Sequence, residues 1–376
     1  MAVYNQIDFS WMETTSKEYS GYKDYLMEQR EKNLELYLFG FGGFGQAAAD
    51  SLLDHNVDIT YFVDNDEKKS GKQYRGIKCI SFQHFLEKKD KAFLIVAVGN
   101  PLPIIEQLDR YGIKNYNVMI SPYKLEFDDT LKNMEISDVS LKLKTVSSLL
   151  EDSRSLNVLQ NIIESWYKVS YNKELFSEIY EGNQYFCKDI IPLDENSVFV
   201  DCGAFIGDSL ESFLVNVSDS NFSKAFLFEL NDFTCEELQS NIKQWCSPDV
   251  QRKIKVINKG VSDENAEFSY SLSESSSCIQ GEGTQKAQVV RLDDELADER
   301  ISLVKMDIEG SEAAAIKGGE KLIKKYKPAL AICVYHKVTD LWELPLLIKS
   351  IVPEYKLYLR HHSKTQIETV LYAVCE

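Results

Sequence analysis

The stretch Val198-Phe199-Val200-Asp201-Cys202-Gly203-Ala204-Phe205-Ile206-Gly207 decides the fold of this chain. Three apolar residues read as a buried parallel strand, with Asp201 at its end. Gly203 and Gly207 then let the backbone turn tightly into a helix beginning near Asp208. Further on, the apolar run Ala225-Phe226-Leu227-Phe228 closes on Glu229. A carboxylate ending the second strand suits the two hydroxyls of a ribose. The turn has the form DxGxxxG rather than the dinucleotide GxGxxG. That difference favours S-adenosylmethionine, which has no pyrophosphate to cradle and whose sulfonium tolerates nearby carboxylates.

Around this turn the chain has an ordinary globular composition. Its 376 residues leave room for two domains, each with its own core, and 44% hydrophobic with 27% charged residues shows no disorder signature. The formal charge of −17 repels polyphosphate, so nucleic acid is not an expected partner. The 8 cysteines show no CxxC pair and no zinc spacing, which reads as reduced thiols in a cytoplasmic protein. The N-terminus lacks the apolar region of a signal peptide. Runs such as Ala92–Val98 and Ala329–Tyr335 fall short of the roughly 20 residues that span a bilayer, so no integral membrane association is expected. Oligomeric state is not legible.

Alternation of strands and helices organises both ends of the chain. Residues 1–33 read as an N-terminal helical segment with a charged helix over about 16–32. Strands at Leu34–Phe39, Ile59–Val63, Phe93–Val98 and near Val118–Ile120 mark an open parallel sheet over 34–122. Residues 123–185 read as a helical connector, in which Leu156, Leu159, Ile163 and Trp166 share one face. Strand–helix alternation returns over 186–376. Residues 271–285, rich in serine and glycine, read as a mobile surface loop. The last strands, near Tyr355–Leu359 and Thr369–Val374, suit a closing antiparallel hairpin. The fold class is therefore α/β, with two Rossmann-like doubly wound domains joined by a helical connector.

In doubly wound sheets ligands bind outside the carboxyl ends of the strands. Asp201, Glu229, Asp307 and His336 each follow an apolar strand, so the fold should bring all four to one rim. Residues 185–376 resemble the FkbM-type S-adenosylmethionine-dependent methyltransferases. The resemblance is carried by QYF (184–186), VFVDCGAFIGDS (198–209), FLFEL (226–230), LDDEL (292–296) and LVKMDIEGSEAAAIKGGE (303–320). KPALAICVYHKVTDLWELPLLIK (327–349), YKLYLRHHS (355–363) and ETVLYAV (368–374) extend it through the tail. It implies a class I methyltransferase fold and O-methylation of a hydroxyl, frequently on a sugar or secondary metabolite. Phe205 stands where relatives often have Asn or Tyr.

Roles follow from the residues and the resemblance together. Asp201 is expected to orient the glycine loop and to hold the methionine amino group. Gly203 and Gly207 are expected to admit the cofactor, and Glu229 to bind its ribose. Ser262 and Asp263 are placed either to touch adenine or to form a plain turn. A sugar hydroxyl is barely acidic, so a base helps, and Asp307 and His336 are the candidates. His336 is preferred because an unperturbed imidazole titrates near 6.5. Glu312 is expected to cap its helix, and Lys305 to pair with a carboxylate. Asp307 and Glu309 alone make no complete metal set, and no metal is assigned.

The N-terminal sheet carries its own fingerprint. Gly40, Gly42 and Gly45 match GxGxxG after a strand, and Asp64 ends the next strand. This context suits NAD(P) or another nucleotide. Residues in GFGGFG (40–45), FVDND (62–66) and VAVGN (96–100) also resemble the small nucleotide-binding domains of sugar acetyltransferases and related sugar-modifying proteins, which implies nucleotide or nucleotide-sugar binding rather than catalysis. Two other readings stay open: a nicotinamide-dependent oxidoreductase acting on a nucleotide sugar, and a non-catalytic nucleotide-binding protein.

Overall fold

The computed structural model describes residues 7–169, 171–217, 221–270 and 285–375. Nearly all of the loop expected over 271–285 lies outside these described residues. The chain forms two compact units: residues 1–147 with 156–180 and 363–367, and residues 148–155 with 181–362 and 368–376. The helices of the expected connector group largely with the first unit.

In the first unit six strands run in chain order: β1 (Glu35–Phe39), β2 (Tyr61–Asp64), β3 (Gln73–Tyr74), β4 (Ile77–Ser81), β5 (Ala92–Val96) and β6 (Tyr116–Val118). Their order in the sheet is β3-β4-β2-β1-β5-β6, parallel throughout except for the short β3. Alternate residues of β1 feed opposite faces, as the period of a strand requires. Leu36 and Leu38 pack with Tyr22, Leu26 and Leu52, whereas Tyr37 and Phe39 pack with Phe82, Phe85 and Leu108. The single charged helix expected over 16–32 is two helices, Trp11–Glu18 and Tyr22–Glu31. Gly21 separates them at φ +103°, a backbone setting that continues no right-handed helix. Asp128 then accepts the Tyr22 N–H at 2.7 Å and starts the second helix.

The second unit holds β7 (Val198–Cys202), β8 (Lys224–Phe228), β9 (Ile254–Ile257), β10 (Gly260–Val261), β11 (Ala266–Tyr270), β12 (Gln285–Val290), β13 (Leu303–Met306), β14 (Ala329–Cys333), β15 (Lys356–His361) and β16 (Thr369–Val374). Seven of them form one sheet in the order β15-β16-β14-β13-β7-β8-β9. The order reverses between β7 and β13, and a crevice outside the carboxyl ends opens at such a point. β15 and β16 pair antiparallel, as expected of the closing hairpin. A separate small sheet has the order β10-β12-β11. One face of the large sheet buries Phe199, Leu227, Leu303, Ala331 and Tyr372 against Leu210, Phe213 and Leu238 of the flanking helices. Phe199 stacks on Phe213 with ring centres 4.6 Å apart. Toward the carboxyl ends this same face turns polar, because Asp201, Lys305 and Asp307 continue its two-residue period.

His362, just beyond β15, ties the hairpin down. Its Nδ1 lies 2.8 Å from the Glu181 carbonyl and its Nε2 3.0 Å from the Tyr372 hydroxyl, which in turn accepts the Tyr185 N–H at 2.9 Å. Burial, helped by the Arg360 charge nearby, pulls this imidazole down to about 4. Because the unfolded chain binds the proton more readily, the stabilisation is complete above the ordinary histidine value near 6.5. It is lost as pH falls toward 4. Urea unfolding should therefore show the wild type losing about 3 kcal/mol more than His362→Gln between pH 7 and pH 4. Parallel losses in the two proteins would refute the assignment.

Candidate active site

The glycine turn is held from beneath. β7 runs through Asp201 to Cys202, so this aspartate lies inside the strand rather than at its end, and it is 0% exposed. Lys305 stands opposite in β13, with Nζ 3.0 Å from Asp201 Oδ1, and donates to the Gly203 carbonyl at 2.6 Å. Ser209, in the helix Asp208–Asn216, donates to Asp201 Oδ2. Asp201 thus anchors strand, loop and helix together. It has no surface on which to receive a methionine amino group.

The glycines also serve the chain itself. Gly203 has φ +87°, and a Cβ there would fall 2.0 Å from the Asp307 carbonyl oxygen. Gly207 has φ +99° and opens the helix, with a Cβ position 2.9 Å from Leu238 Cδ1. The close approaches they permit are to β13 and to a neighbouring helix, a different reason from the expected approach of cofactor. Between them Phe205, 57% exposed and at φ +46°, points its N–H at Glu229.

Glu229 follows β8 as expected. Its Oε2 accepts the Phe205 N–H at 3.0 Å and its Oε1 the Asn231 N–H at 2.9 Å. Burial raises its carboxyl, and these two amides oppose the rise. Each oxygen retains a second lone pair, so the carboxylate can still accept two hydroxyls. Ser262 and Asp263 lie further along the chain. They follow β10 in the small sheet, where the Ser262 carbonyl lies against Gly318. Asn258, directly after β9, is the residue that reaches back, donating to the Glu229 carbonyl at 3.0 Å and to that of Leu230 at 3.3 Å. The intervening strand β10 is too short to carry a readable period.

Asp307 and His336 do meet. His336 Nε2 is 3.4 Å from Asp307 Oδ1 and 3.7 Å from Glu309 Oε2, while Nδ1 is 3.1 Å from Glu312 Oε1. Burial pulls the imidazole down, but the Glu312, Asp307 and Glu309 carboxylates outweigh it and push it up to about 10. The ring by itself holds its proton at neutral pH, which removes the ground on which it was preferred as base. Asp307 is pushed up by burial, yet Lys305 and His336 hold it below the usual carboxylate range. Glu312 accepts the Ile308 N–H at 2.9 Å as a cap does, and faces His336 as well.

Several members of this cluster escaped the sequence reading. The Tyr185 hydroxyl donates to Asp307 Oδ2 at 2.9 Å, and that of Tyr335 to Oδ1 at 3.1 Å. Tyr335 also lies 3.5 Å from Glu368 Oε1, and Gln184 donates to Glu368 Oε2. Burial and the nearby Asp307 raise the Glu368 carboxyl to about 7. These residues sit in short segments, QYF, YH and ETV, whose only signal was family likeness.

The first unit repeats the design with a different outcome. Asp64 Oδ2 accepts the Phe41 N–H of its glycine turn at 2.9 Å, as Glu229 does from Phe205. Lys69, however, is 3.0 Å from the same Oδ2, and the Asp66 N–H takes Oδ1 at 2.9 Å. Burial would raise this carboxyl, but these partners hold it down. Gly40 and Gly45 pack on backbone, with Cβ positions 2.4 Å from the Ala97 carbonyl oxygen and 2.0 Å from that of Gly40; Gly42 faces nothing within 4 Å. Of the three glycines, Gly42 alone borders open space. A cavity of about 590 Å³ in this unit is lined by Trp11, Gln160 and Tyr167 and includes none of these residues.

An open sheet reversing at β7 and β13, with a glycine turn and strand-end carboxylates at the switch point, defines a methyltransferase-like site. Residues 201–362 match the methyltransferase FkbM domain and residues 35–103 the PglD N-terminal domain. Residues 201–362 thus form an FkbM methyltransferase domain, which supports S-adenosylmethionine-dependent methyl transfer, and residues 35–103 form a Rossmann-like domain of the PglD type. The solved methyltransferase FkbM of Methylobacillus flagellatus KT is similar in fold, at 23% identity and a TM-score of 0.69, covering 96% of this chain and 99% of that one. An rRNA methylase from Streptococcus thermophilus is similar over 49% of this chain and 90% of its own, at 15% identity and a TM-score of 0.32. No curated protein matches the chain. Among the described residues no helix is long and apolar enough to cross a membrane.

Proposed function

We propose that the second unit methylates a hydroxyl of a sugar, glycan or related metabolite. The observation that carries this reading is the position of Asp307 at the carboxyl end of β13. Its carboxylate is a quarter exposed and steadied by two tyrosine hydroxyls. S-adenosylmethionine, when bound, supplies the electrophilic methyl group. Glu229 fits it because two lone pairs remain for the ribose hydroxyls, and Asp201 and Lys305 keep the loop that carries Phe205 in register with Glu229. Asp307 orients the acceptor hydroxyl and takes its proton as the new bond forms. His336 fixes the position of Asp307 at the rim. Holding the reactants aligned accounts for much of the acceleration, since effective molarities reach about 10⁵ M or more in well-oriented pairs. The cysteines among the described residues are free and mostly buried, which suits a cytoplasmic setting, and the charge of −17 argues against nucleic acid as acceptor.

Incubating the protein with a metabolite extract and methyl-deuterated S-adenosylmethionine should place the label on an oxygen, read by mass spectrometry. Asp307→Asn should lower kcat about 100-fold, the scale of general-base assistance. Its S-adenosylmethionine affinity, measured by calorimetry, should stay within about threefold, since Asp307 lies outside the ribose site. Label found on nitrogen, or kcat unchanged in Asp307→Asn, would count against the assignment.

A further inference from the structure

We propose that Asp307, Glu309 and His336, backed by Glu312, bind a hard divalent cation of the Mg²⁺ or Mn²⁺ kind at the carboxyl ends of β13 and β14. The sequence offered only the pair Asp307 and Glu309. Folding adds an imidazole and a third carboxylate from two other places in the chain.

The two ring nitrogens of His336 face different surroundings. Nδ1 lies 3.1 Å from Glu312 Oε1, deep in the fold, where Glu312 is 0% exposed. A carboxylate there takes the ring N–H and leaves the other nitrogen as a ligand, an arrangement typical of metal-bound histidine. Nε2 faces the rim, 3.4 Å from Asp307 Oδ1 and 3.7 Å from Glu309 Oε2. Neighbouring ligands around an octahedral ion at about 2.1 Å are separated by about 3 Å, so a shift of a few tenths of an ångström closes this set. Asp307, Glu312 and His336 also each bring a ligand atom within 4.8 Å of the others.

An independent observation points the same way. Among the described residues Glu312 Oε2 is buried without a hydrogen-bond partner, which leaves an ionisable oxygen inside the fold in want of positive charge. Once His336 gives up a proton to act as a ligand, the surrounding charge is short of cations. Lys305 is engaged with Asp201, and Lys337 donates to the Gly310 carbonyl, while Asp340 and Glu368 add carboxylates nearby. Two carboxylates that reach solvent, with one imidazole, favour Mn²⁺ or Mg²⁺ over the softer ions that thiolates select.

This inference rests on the methyl-transfer reading, which it deepens. A cation here would take the acceptor's hydroxyl oxygen, and so select acceptors with an exposed hydroxyl or vicinal diol. It would weaken the O–H bond beside Asp307. The full chain, stripped with chelator, should be titrated with Mn²⁺ and free Mn²⁺ followed by its electron paramagnetic resonance signal. One Mn²⁺ per chain is expected, displaced by Mg²⁺, with affinity at least tenfold weaker in Glu309→Gln and in His336→Gln. Glu309 is partly exposed, so its variant should fold, and an unchanged melting curve checks this. Separate calorimetry with S-adenosylmethionine keeps the two readings apart. A wild type that binds S-adenosylmethionine but no Mn²⁺ overturns the cation site, as does Mn²⁺ binding that both variants retain. Mn²⁺ binding lost in the variants, with no S-adenosylmethionine binding, supports the site and sinks the methyl-transfer reading instead.

Discussion

Glu229→Gln should weaken S-adenosylmethionine binding about 100-fold or more while leaving the fold intact. Hydrogen bonds to a charged acceptor contribute about 1.5–3 kcal/mol each, and two ribose hydroxyls would lose that acceptor together. The glutamine keeps the volume of the side chain but cannot accept at both ends. One end must now present an NH₂ group either to the Phe205 N–H or to the Asn231 N–H, which lie 3.0 and 2.9 Å from the carboxylate. The loop that carries Phe205 is then loosened, and the ribose hydroxyls go without their charged acceptor. Calorimetry gives the affinity, and an unchanged urea midpoint shows that the effect is local. An affinity within threefold of wild type would remove Glu229 from the cofactor site.

The comparison with Asp64 sharpens this expectation. Both residues close the second strand of a sheet, and both accept a backbone N–H from the glycine turn of the first strand. Asp64 is also satisfied by Lys69 and by Asp66. Glu229 has no ion pair among the described residues. The motif in sequence is therefore a statement about how a turn is braced, and only the remaining partners decide whether the carboxylate is available to a ligand.

That distinction marks where the sequence could be read and where it could not. Strand ends were legible because apolar runs such as Val198–Val200 and Ala329–Tyr335 announce buried parallel strands, and the switch-point rule then places Glu229, Asp307 and His336. Asp201 lies one residue before the end of its strand because Cys202 is apolar enough to continue it. Ser262 and Asp263 follow β10, a strand of two residues with no period to see. The protonation of His336 was beyond reach, since it depends on Glu309 and Glu312 arriving from the next turn and helix. Tyr185 and Glu368 arrive from segments distant in the chain. Periodicity reports which face of an element is buried, and says nothing about which side chains from separate elements converge.

Lys305→Met should cost about 3–5 kcal/mol of stability, the scale of breaking a buried ion pair from one side. Lys305 is 3% exposed in the centre of the sheet, 3.0 Å from Asp201 and 5.2 Å from the centre of the Tyr185 ring. Asp201 and Asp307 raise its ammonium above the usual lysine range despite burial, so the charge persists there. Methionine fills the volume but leaves the fully buried Asp201 carboxylate with Ser209 alone. The double variant Lys305→Met with Asp201→Asn should recover a large part of that stability, because it removes the stranded charge as well as its partner. Even so, the double variant should bind S-adenosylmethionine poorly. The bond from Lys305 to the Gly203 carbonyl is gone in both, and that bond, at 2.6 Å, sets the height of the turn against β13. Urea unfolding measures the first effect and calorimetry the second. A single variant less than about 1 kcal/mol below wild type, or a double variant with unchanged affinity, would show that the pair neither supports the sheet nor positions the loop.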